Sequence, residues 1–203
     1  MIVRQIPAGF MEVFSYLLGC EKTREALVID PSGDVRRILD QAQTDQLIIK
    51  YIFNTHHHFD HIGGNEALKK RTGAPIVRHV LEDGFLPPSA RADIQIKDEK
   101  IFQVGEITFQ LFHTPGHSPG GLCLYAEGQL FTGDTLFVGD SGRTDLPGGH
   151  RPTLGASIRQ LMTLPDETVI WPGHDYGPTT SSTIGREKRT NVNAKEYGYY
   201  VKD

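Results

Sequence analysis

The feature that most constrains this chain is a run of potential metal ligands at the end of an apolar segment. Leu47 to Phe53 is rich in isoleucine and aromatic residues, which predicts a buried strand. The segment leads directly into Asn54-Thr55-His56-His57-His58-Phe59-Asp60-His61. Functional residues tend to collect in loops that a rigid strand positions. The run therefore predicts a metal site where a buried strand ends.

The alternation of side chains along an extended backbone divides this run between two positions. His56 and His58 point the same way, so that two imidazoles can bind one ion, whereas His57 points away. Asp60 and His61 follow the turn and can face a second position nearby. Imidazole nitrogens and carboxylate oxygens suit zinc, iron(II) or manganese, and the lack of neighbouring thiolates argues against a structural zinc-finger site.

Three further potential ligands share one setting, because each follows a predicted strand and comes directly after a glycine. They are His117 after Ile107 to His113, Asp134 after Gln129 to Phe131, and His174 after Thr168 to Trp171. Glycine allows close backbone approach and unusual dihedral angles. Four strand ends could therefore deliver ligands to one edge of the sheets. The other histidines are interpreted as surface residues or hydrogen-bonded core residues, namely His57, His79, His113 and His150.

The remaining segments predict strands punctuated by a few helices. Further strands are expected at Val13 to Leu18, Ala26 to Asp30, Lys100 to Val104 and Gly121 to Ala126, and a loop is expected at Leu81 to Arg91. Helices are expected at Asp34 to Gln43, Glu66 to Arg71, Thr153 to Leu164 and Ile184 to Asn191. Ser32 or Asp34 could cap the first helix. No linker or repeat divides the chain, which predicts a single domain over residues 1–203 with two packed sheets and helices outside them.

Composition excludes several classes of function. The net charge of −4, from 21 basic and 25 acidic residues, argues against nucleic acid as the partner. The N-terminus lacks the apolar run of a signal peptide or spanning helix, so that we expect a cytoplasmic protein without membrane association. Cys20 and Cys123 are expected to be reduced thiols. Tyr197, Tyr199 and Tyr200 could pack on the domain's own surface or form a dimer contact, which leaves monomer and homodimer open.

The ligand pattern resembles the metallo-β-lactamase superfamily over nearly the whole chain. The resemblance is carried by Thr55-His56-His57-His58-Phe59-Asp60-His61, Pro115-Gly116-His117, Gly133-Asp134 and Gly173-His174. It implies an α/β fold, a four-layer αβ/βα sandwich with a site for two divalent metal ions at one edge of the sheets. Zinc is the first choice, with iron or manganese as alternatives. The resemblance implies that His56, His58 and His117 bind one ion, that Asp60, His61 and His174 bind the other, and that Asp134 bridges them.

Within the superfamily, the closest resemblance is to glyoxalase II enzymes and persulfide dioxygenases. It rests on Thr132-Gly133-Asp134-Thr135-Leu136-Phe137, Gly142-Arg143-Thr144-Asp145, His174-Asp175-Tyr176 and the segment from Ser182 to Lys188. The resemblance implies that Arg143 and Tyr176 lie beside a thiol substrate. It is to a short form, without the C-terminal helical domain that supplies basic residues in full-length glyoxalase II. Arg186, Lys188 and Arg189 could replace those residues or form a solvated face.

Three functions follow from the resemblance as expectations. The first is a hydrolase of a small-molecule thioester, glutathione-linked or with another acyl carrier, in which a metal-bridging hydroxide attacks the carbonyl and Asp60 and Asp134 are catalytic. The second is a mononuclear iron persulfide dioxygenase that uses His58, His117 and Asp134. The third is a metal-stabilised binding module without catalysis. The acyl group, the thiol carrier and the identity and number of the metal ions stay open.

Overall fold

A computed structural model describes residues 1–9, 11–193, 196 and 198. The chain divides into two compact units, an N-terminal unit, Met1–Gln110, and a C-terminal unit, Leu111–Asp203. None of the helices in the described part of the chain is long and apolar enough to cross a membrane. Tyr197, Tyr199 and Tyr200 lie outside the described residues, so their role at a surface or dimer contact stays a prediction.

The first sheet has six strands in sequence order. They are β1 (Ile2–Ala8), β2 (Val13–Gly19), β3 (Glu25–Ile29), β4 (Ile48–Phe53), β5 (Ile76–His79) and β6 (Ile94–Ile96). β1 to β3 pair antiparallel, and β3 to β6 pair parallel. The central strands are buried along nearly their whole length, as expected for parallel strands covered on both faces. The parallel pairing of β3 with β4 places the ends of both strands at one edge of this sheet.

The helices of the N-terminal unit connect and cover these strands. They are α1 (Arg36–Thr44), α2 (Phe59–Ile62) and α3 (Asn65–Thr72). α1 buries Ile38 and Ala42 against the sheet. The predicted side-chain cap of α1 was wrong, because Val35 occupies that position and Asp34 instead accepts a hydrogen bond from the Arg36 backbone N–H at 3.0 Å. The predicted loop from Leu81 to Arg91 contains two short 3₁₀ segments, Val80–Phe85 and Pro88–Ala90.

The second sheet also has six strands. They are β7 (Ile101–Val104), β8 (Ile107–His113), β9 (Leu122–Ala126), β10 (Gln129–Gly133), β11 (Val169–Pro172) and β12 (Ser182–Thr183), ordered β12-β11-β10-β9-β8-β7. β10 pairs parallel with β11 and antiparallel with β9. The two helices of the C-terminal unit are α4 (Arg151–Leu161) and α5 (Ile184–Thr190). α4 packs Leu154, Ile158 and Leu161 into the core of this unit.

Two mixed sheets with helices confirm the predicted α/β class. The strands expected at the sequence stage of the chain's ligand-bearing segments are all present, with ends shifted by one or two residues. Cys20 and Cys123 are both buried and free, as expected. Burial raises the pKa of the Cys123 thiol to about 11, so it stays protonated at neutral pH.

Candidate metal centre

In the N-terminal unit, the strand end after β4 gathers four of the predicted ligands. His58 is the residue before α2 and keeps an extended backbone, with φ −60° and ψ 142°. The ring centroids of His56 and His58 lie 4.7 Å apart, and those of His56 and His61 lie 4.1 Å apart. The single turn of α2 brings Asp60 Oδ2 within 3.7 Å of His61 Nε2. Extended backbone followed at once by a helical turn therefore clusters donors that are up to five residues apart.

A buried carboxylate that sequence reasoning missed supports this cluster from beneath. Asp30 Oδ1 accepts a hydrogen bond from the Thr55 backbone N–H at 2.8 Å, and Asp30 Oδ2 accepts one from the Thr55 hydroxyl at 2.5 Å. Asp30 Oδ2 also lies 3.0 Å from His61 Nδ1. A carboxylate at Nδ1 places the ring proton there and leaves Nε2 as the metal-binding nitrogen. Asp30, His56 and His61 offer ligand atoms within 4.8 Å of one another, but these hydrogen bonds assign Asp30 to support.

The position of Asp30 offered a signal that could have identified it. Asp30 directly follows β3, the parallel neighbour of β4, so both strands end at the edge where the histidine run begins. Its φ of +47° is in the left-handed region, which aspartate tolerates better than most residues. In the sequence, Asp30 served only to mark the end of a strand.

In the C-terminal unit, His117, Asp134 and His174 come together. β8, β10 and β11 run in the same direction, and each is followed within four residues by one of these side chains. Asp134 Oδ2 lies 3.4 Å from His117 Nε2 and 3.3 Å from His174 Nε2. All three side chains are buried. One carboxylate oxygen thus lies beside two imidazole nitrogens, as a ligand shared by two neighbouring positions requires.

The Gly142–Asp145 segment supports His117 through its backbone. The Arg143 carbonyl lies 2.7 Å from His117 Nδ1, so this ring donates there and directs Nε2 toward Asp134. The Arg143 side chain points elsewhere and forms two hydrogen bonds of 2.6 Å with Asp145. This guanidinium lowers the pKa of the exposed Asp145 carboxyl to about 2. Arg143 therefore has two separable functions, one in its carbonyl and one in its side chain.

Two of the glycines that precede ligands are required by the structure. Gly116 has φ +131°, and a Cβ atom there would lie 2.2 Å from the Leu154 backbone nitrogen. A Cβ atom on Gly173 would lie 2.3 Å from Asp134 Oδ1. Both separations are far shorter than a van der Waals contact. The glycine-before-ligand pattern thus reflects close packing of the strand ends around Asp134.

Tyr176, a predicted substrate residue, lies against a potential ligand. Its ring stacks on His174 with centroids 4.5 Å apart and an angle of 13°, and Phe137 meets both rings edge-on at 5.7 Å. Tyr176 is 52% exposed, so part of it stays open to a substrate. Of the basic residues on α5, Lys188 pairs with Asp166 at 2.6 Å and Arg186 donates to Thr179 at 3.1 Å.

The histidines interpreted as non-ligands all have protein partners. His57 contacts Glu82, His79 accepts from the Leu81 backbone N–H, His113 contacts the Pro119 carbonyl, and His150 contacts the Thr153 hydroxyl. By contrast, the seven predicted ligands form one group of donors in each unit. Five imidazoles and two carboxylates, with no thiolate, are a donor set that fits zinc, iron or manganese. The chemistry of the residues therefore fits divalent metal ions.

Comparison with known proteins identifies the family. Residues 8–174 match the model of the metallo-beta-lactamase superfamily. The hydroxyacylglutathione hydrolase GloC of Haemophilus influenzae is 36% identical, over 83% of this chain and 86% of that protein. The human mitochondrial persulfide dioxygenase ETHE1 is 34% identical, over 94% of this chain and 75% of that protein. Relatives with two different activities thus match at similar identity.

Solved structures agree with the sequence comparison. ETHE1 from Myxococcus xanthus superimposes with a TM-score of 0.88 at 36% identity, covering 99% of this chain and 88% of that one. TTHA1623, solved in a di-iron-bound form, gives a TM-score of 0.82 at 34% identity, covering 94% of this chain and 99% of that one. The resemblance inferred from the ligand motifs is confirmed. The chain belongs to the metallo-β-lactamase superfamily.

Proposed function

We propose that the donors of the two units serve one dinuclear centre in a thioester hydrolase of the glyoxalase II type. The observation that carries this proposal is the position of Asp134 Oδ2, within 3.4 Å of both His117 Nε2 and His174 Nε2. Those two histidines are the ones expected to bind different ions. His56 and His58 would join His117 on one ion, and Asp60 and His61 would join His174 on the other.

The proposed mechanism needs few groups from the protein beyond this set. When bound, paired divalent ions supply a hydroxide at neutral pH and polarise a carbonyl. Asp134 holds His117 and His174 at a fixed separation through one oxygen atom. Asp60, whose side chain is 10% exposed, is the proposed carboxylate that receives a proton from water at the site. Arg143 and Tyr176 would orient the thiol part of a small-molecule thioester.

Native metal content and substrate hydrolysis test the proposal together. Protein purified with its own metals is expected to hydrolyse S-lactoylglutathione, followed by loss of thioester absorbance. Chelation is expected to abolish the activity, and addition of metal to restore it, because no serine or cysteine nucleophile is proposed. Elemental analysis is expected to find two ions per chain.

A second candidate function is a mononuclear iron persulfide dioxygenase. It is favoured by the 34% identity to human persulfide dioxygenase across 94% of this chain. The iron would use His58, His117 and Asp134, with positions left open for oxygen and sulfur. Metal-containing protein that leaves the thioester intact, holds one iron and consumes oxygen with glutathione persulfide would replace the first proposal with this one.

Substitution of Arg143 is expected to weaken substrate binding without loss of metal. Arg143→Gln removes the guanidinium but keeps the carbonyl that orients His117. The expected result is a KM raised about tenfold at nearly constant kcat, the signature of lost uniform binding. Arg71→Gln, on the exposed last turn of α3, is the control. An unchanged KM in Arg143→Gln would exclude this arginine from the substrate site.

A further inference from the structure

His57 lies between two proposed ligands, yet its contacts are all with a different segment of the N-terminal unit. The glutamate of the Val80–Phe85 segment reaches it from one side, and a phenylalanine of the same segment covers its ring. We propose that Glu82 and His57 form a positioning pair, which sets the directions of His56 and His58 without binding metal. This inference rests on the metal centre of the proposed function.

The contacts of this pair leave His57 little freedom. Glu82 is fully buried, and its Oε2 accepts a hydrogen bond from the His57 backbone N–H at 2.9 Å. The same oxygen contacts His57 Nδ1. The Phe85 ring stacks on the His57 ring with centroids 4.5 Å apart and an angle of 15°. Backbone and side chain are thus held together, and the His57 side chain is only 11% exposed.

The segment that carries Glu82 is itself anchored. The next residue, Asp83, accepts hydrogen bonds from Arg78 Nη1 at 3.0 Å, from the Ala92 backbone N–H at 3.1 Å and from the Gln95 side chain at 2.7 Å. Arg78 is fully buried and also donates to Asn54 Oδ1, at the start of the histidine run. Glu82 therefore acts from a rigid base.

Fixing His57 has a direct effect on its neighbours. Because side chains alternate along the extended backbone, His56 and His58 must point away from Glu82 once His57 points toward it. Their rings lie 4.7 Å apart and at 88° to each other. Glu82 also places a buried carboxylate behind the proposed ions, and a negative charge there favours cation binding. Partners of this kind commonly change metal affinity by about 10- to 100-fold.

Metal affinity of the folded apo-protein tests the pair without reference to substrate. Glu82→Gln keeps an oxygen acceptor but removes the charge. Zinc titrated against a chromophoric chelator is expected to bind about 10- to 100-fold more weakly to this variant. The matched control is Glu187→Gln, because Glu187 is equally buried but accepts from Ser182, Asn191 and the Gly139 backbone N–H. Its zinc affinity is expected to equal that of the wild type.

Substitution of His57 keeps the test decisive if Glu82→Gln does not fold. His57→Ala removes the ring and is expected to weaken zinc binding, whereas His57→Asn retains a side-chain N–H donor and is expected to recover part of the affinity. The double variant His57→Ala/Glu82→Gln is expected to lose less than the sum of the single losses, since both act through one contact.

Wild-type zinc affinity in folded His57→Ala, or in folded Glu82→Gln, would overturn the positioning role. Affinity lost equally in Glu187→Gln would also overturn it, because the effect would then be general to buried carboxylates. Wild-type protein that binds zinc tightly but leaves the thioester intact would refute the proposed hydrolase alone, and the affinity comparison would still decide the role of the pair.

Discussion

Asp134→Ala is expected to lower kcat/KM for the thioester by about 10³-fold or more while the protein stays folded. Asp134 is the only proposed ligand shared by the two ions, and its Oδ2 lies within 3.4 Å of two histidine nitrogens. Charge stabilisation by paired metals supplies several kcal/mol to such a reaction, and each 1.4 kcal/mol is about tenfold in rate. Hydrolysis kinetics, elemental analysis and circular dichroism on the same preparation measure the effect.

The conservative and surface variants define this result further. Asp134→Asn keeps a neutral oxygen and is expected to retain more metal than Asp134→Ala, with a large loss of kcat. Asp40→Ala removes an exposed carboxylate of α1 and is expected to leave activity unchanged. A folded Asp134→Ala protein with two ions and wild-type turnover would show that the shared carboxylate is not part of the chemistry.

Gly173→Ala is expected to cost about 10²-fold in kcat/KM, although it changes no donor atom. The added methyl group would lie 2.3 Å from Asp134 Oδ1, so the carboxylate, the Gly133 backbone or His174 must move. A displacement of about 1 Å in a catalytic group is enough for a loss of this size. Kinetics at saturating metal, compared with kinetics after dialysis, would show how much of the loss comes from weaker metal binding.

A second glycine provides the matched control. A Cβ atom on Gly84 would meet nothing within 4 Å, and the backbone of this residue is not in the left-handed region. Gly84→Ala is therefore expected to keep wild-type activity and stability. If Gly173→Ala behaved in the same way, the close approach of the two strand ends would be irrelevant to the site.

Long, strongly patterned elements were predictable from the sequence, whereas short ones were not. β2, β4 and α1 carry enough apolar periodicity to identify them. β5, β6 and β12 have four, three and two residues, too few for a pattern to appear. β1 was missed because Pro7 looked like a break. Pro7 is tolerated because β1 is an edge strand, where a missing backbone N–H removes no necessary hydrogen bond.

The proposed ligands were predictable because their residue types cluster at strand ends, but their supports were not. Asp30 lies 31 residues before His61 in the chain, and Glu82 lies 25 residues after His57. No local pattern links a carboxylate to a partner so far away, since only strand pairing brings them together. The Arg143 carbonyl is equally invisible, because every residue has one. Sequence therefore indicates the donors better than it indicates what orients them.

The hydrogen bonds from Asp30 and from the Arg143 carbonyl hold two of the imidazoles in place through the protein alone. A site arranged in this way does not select its ion by closing around it. Histidine and carboxylate donors accept several first-row metals, and the supply of each metal then decides which one is loaded. We therefore expect the same chain, produced in zinc-rich and in iron-rich cells, to carry different metals and to differ in its access to oxygen chemistry.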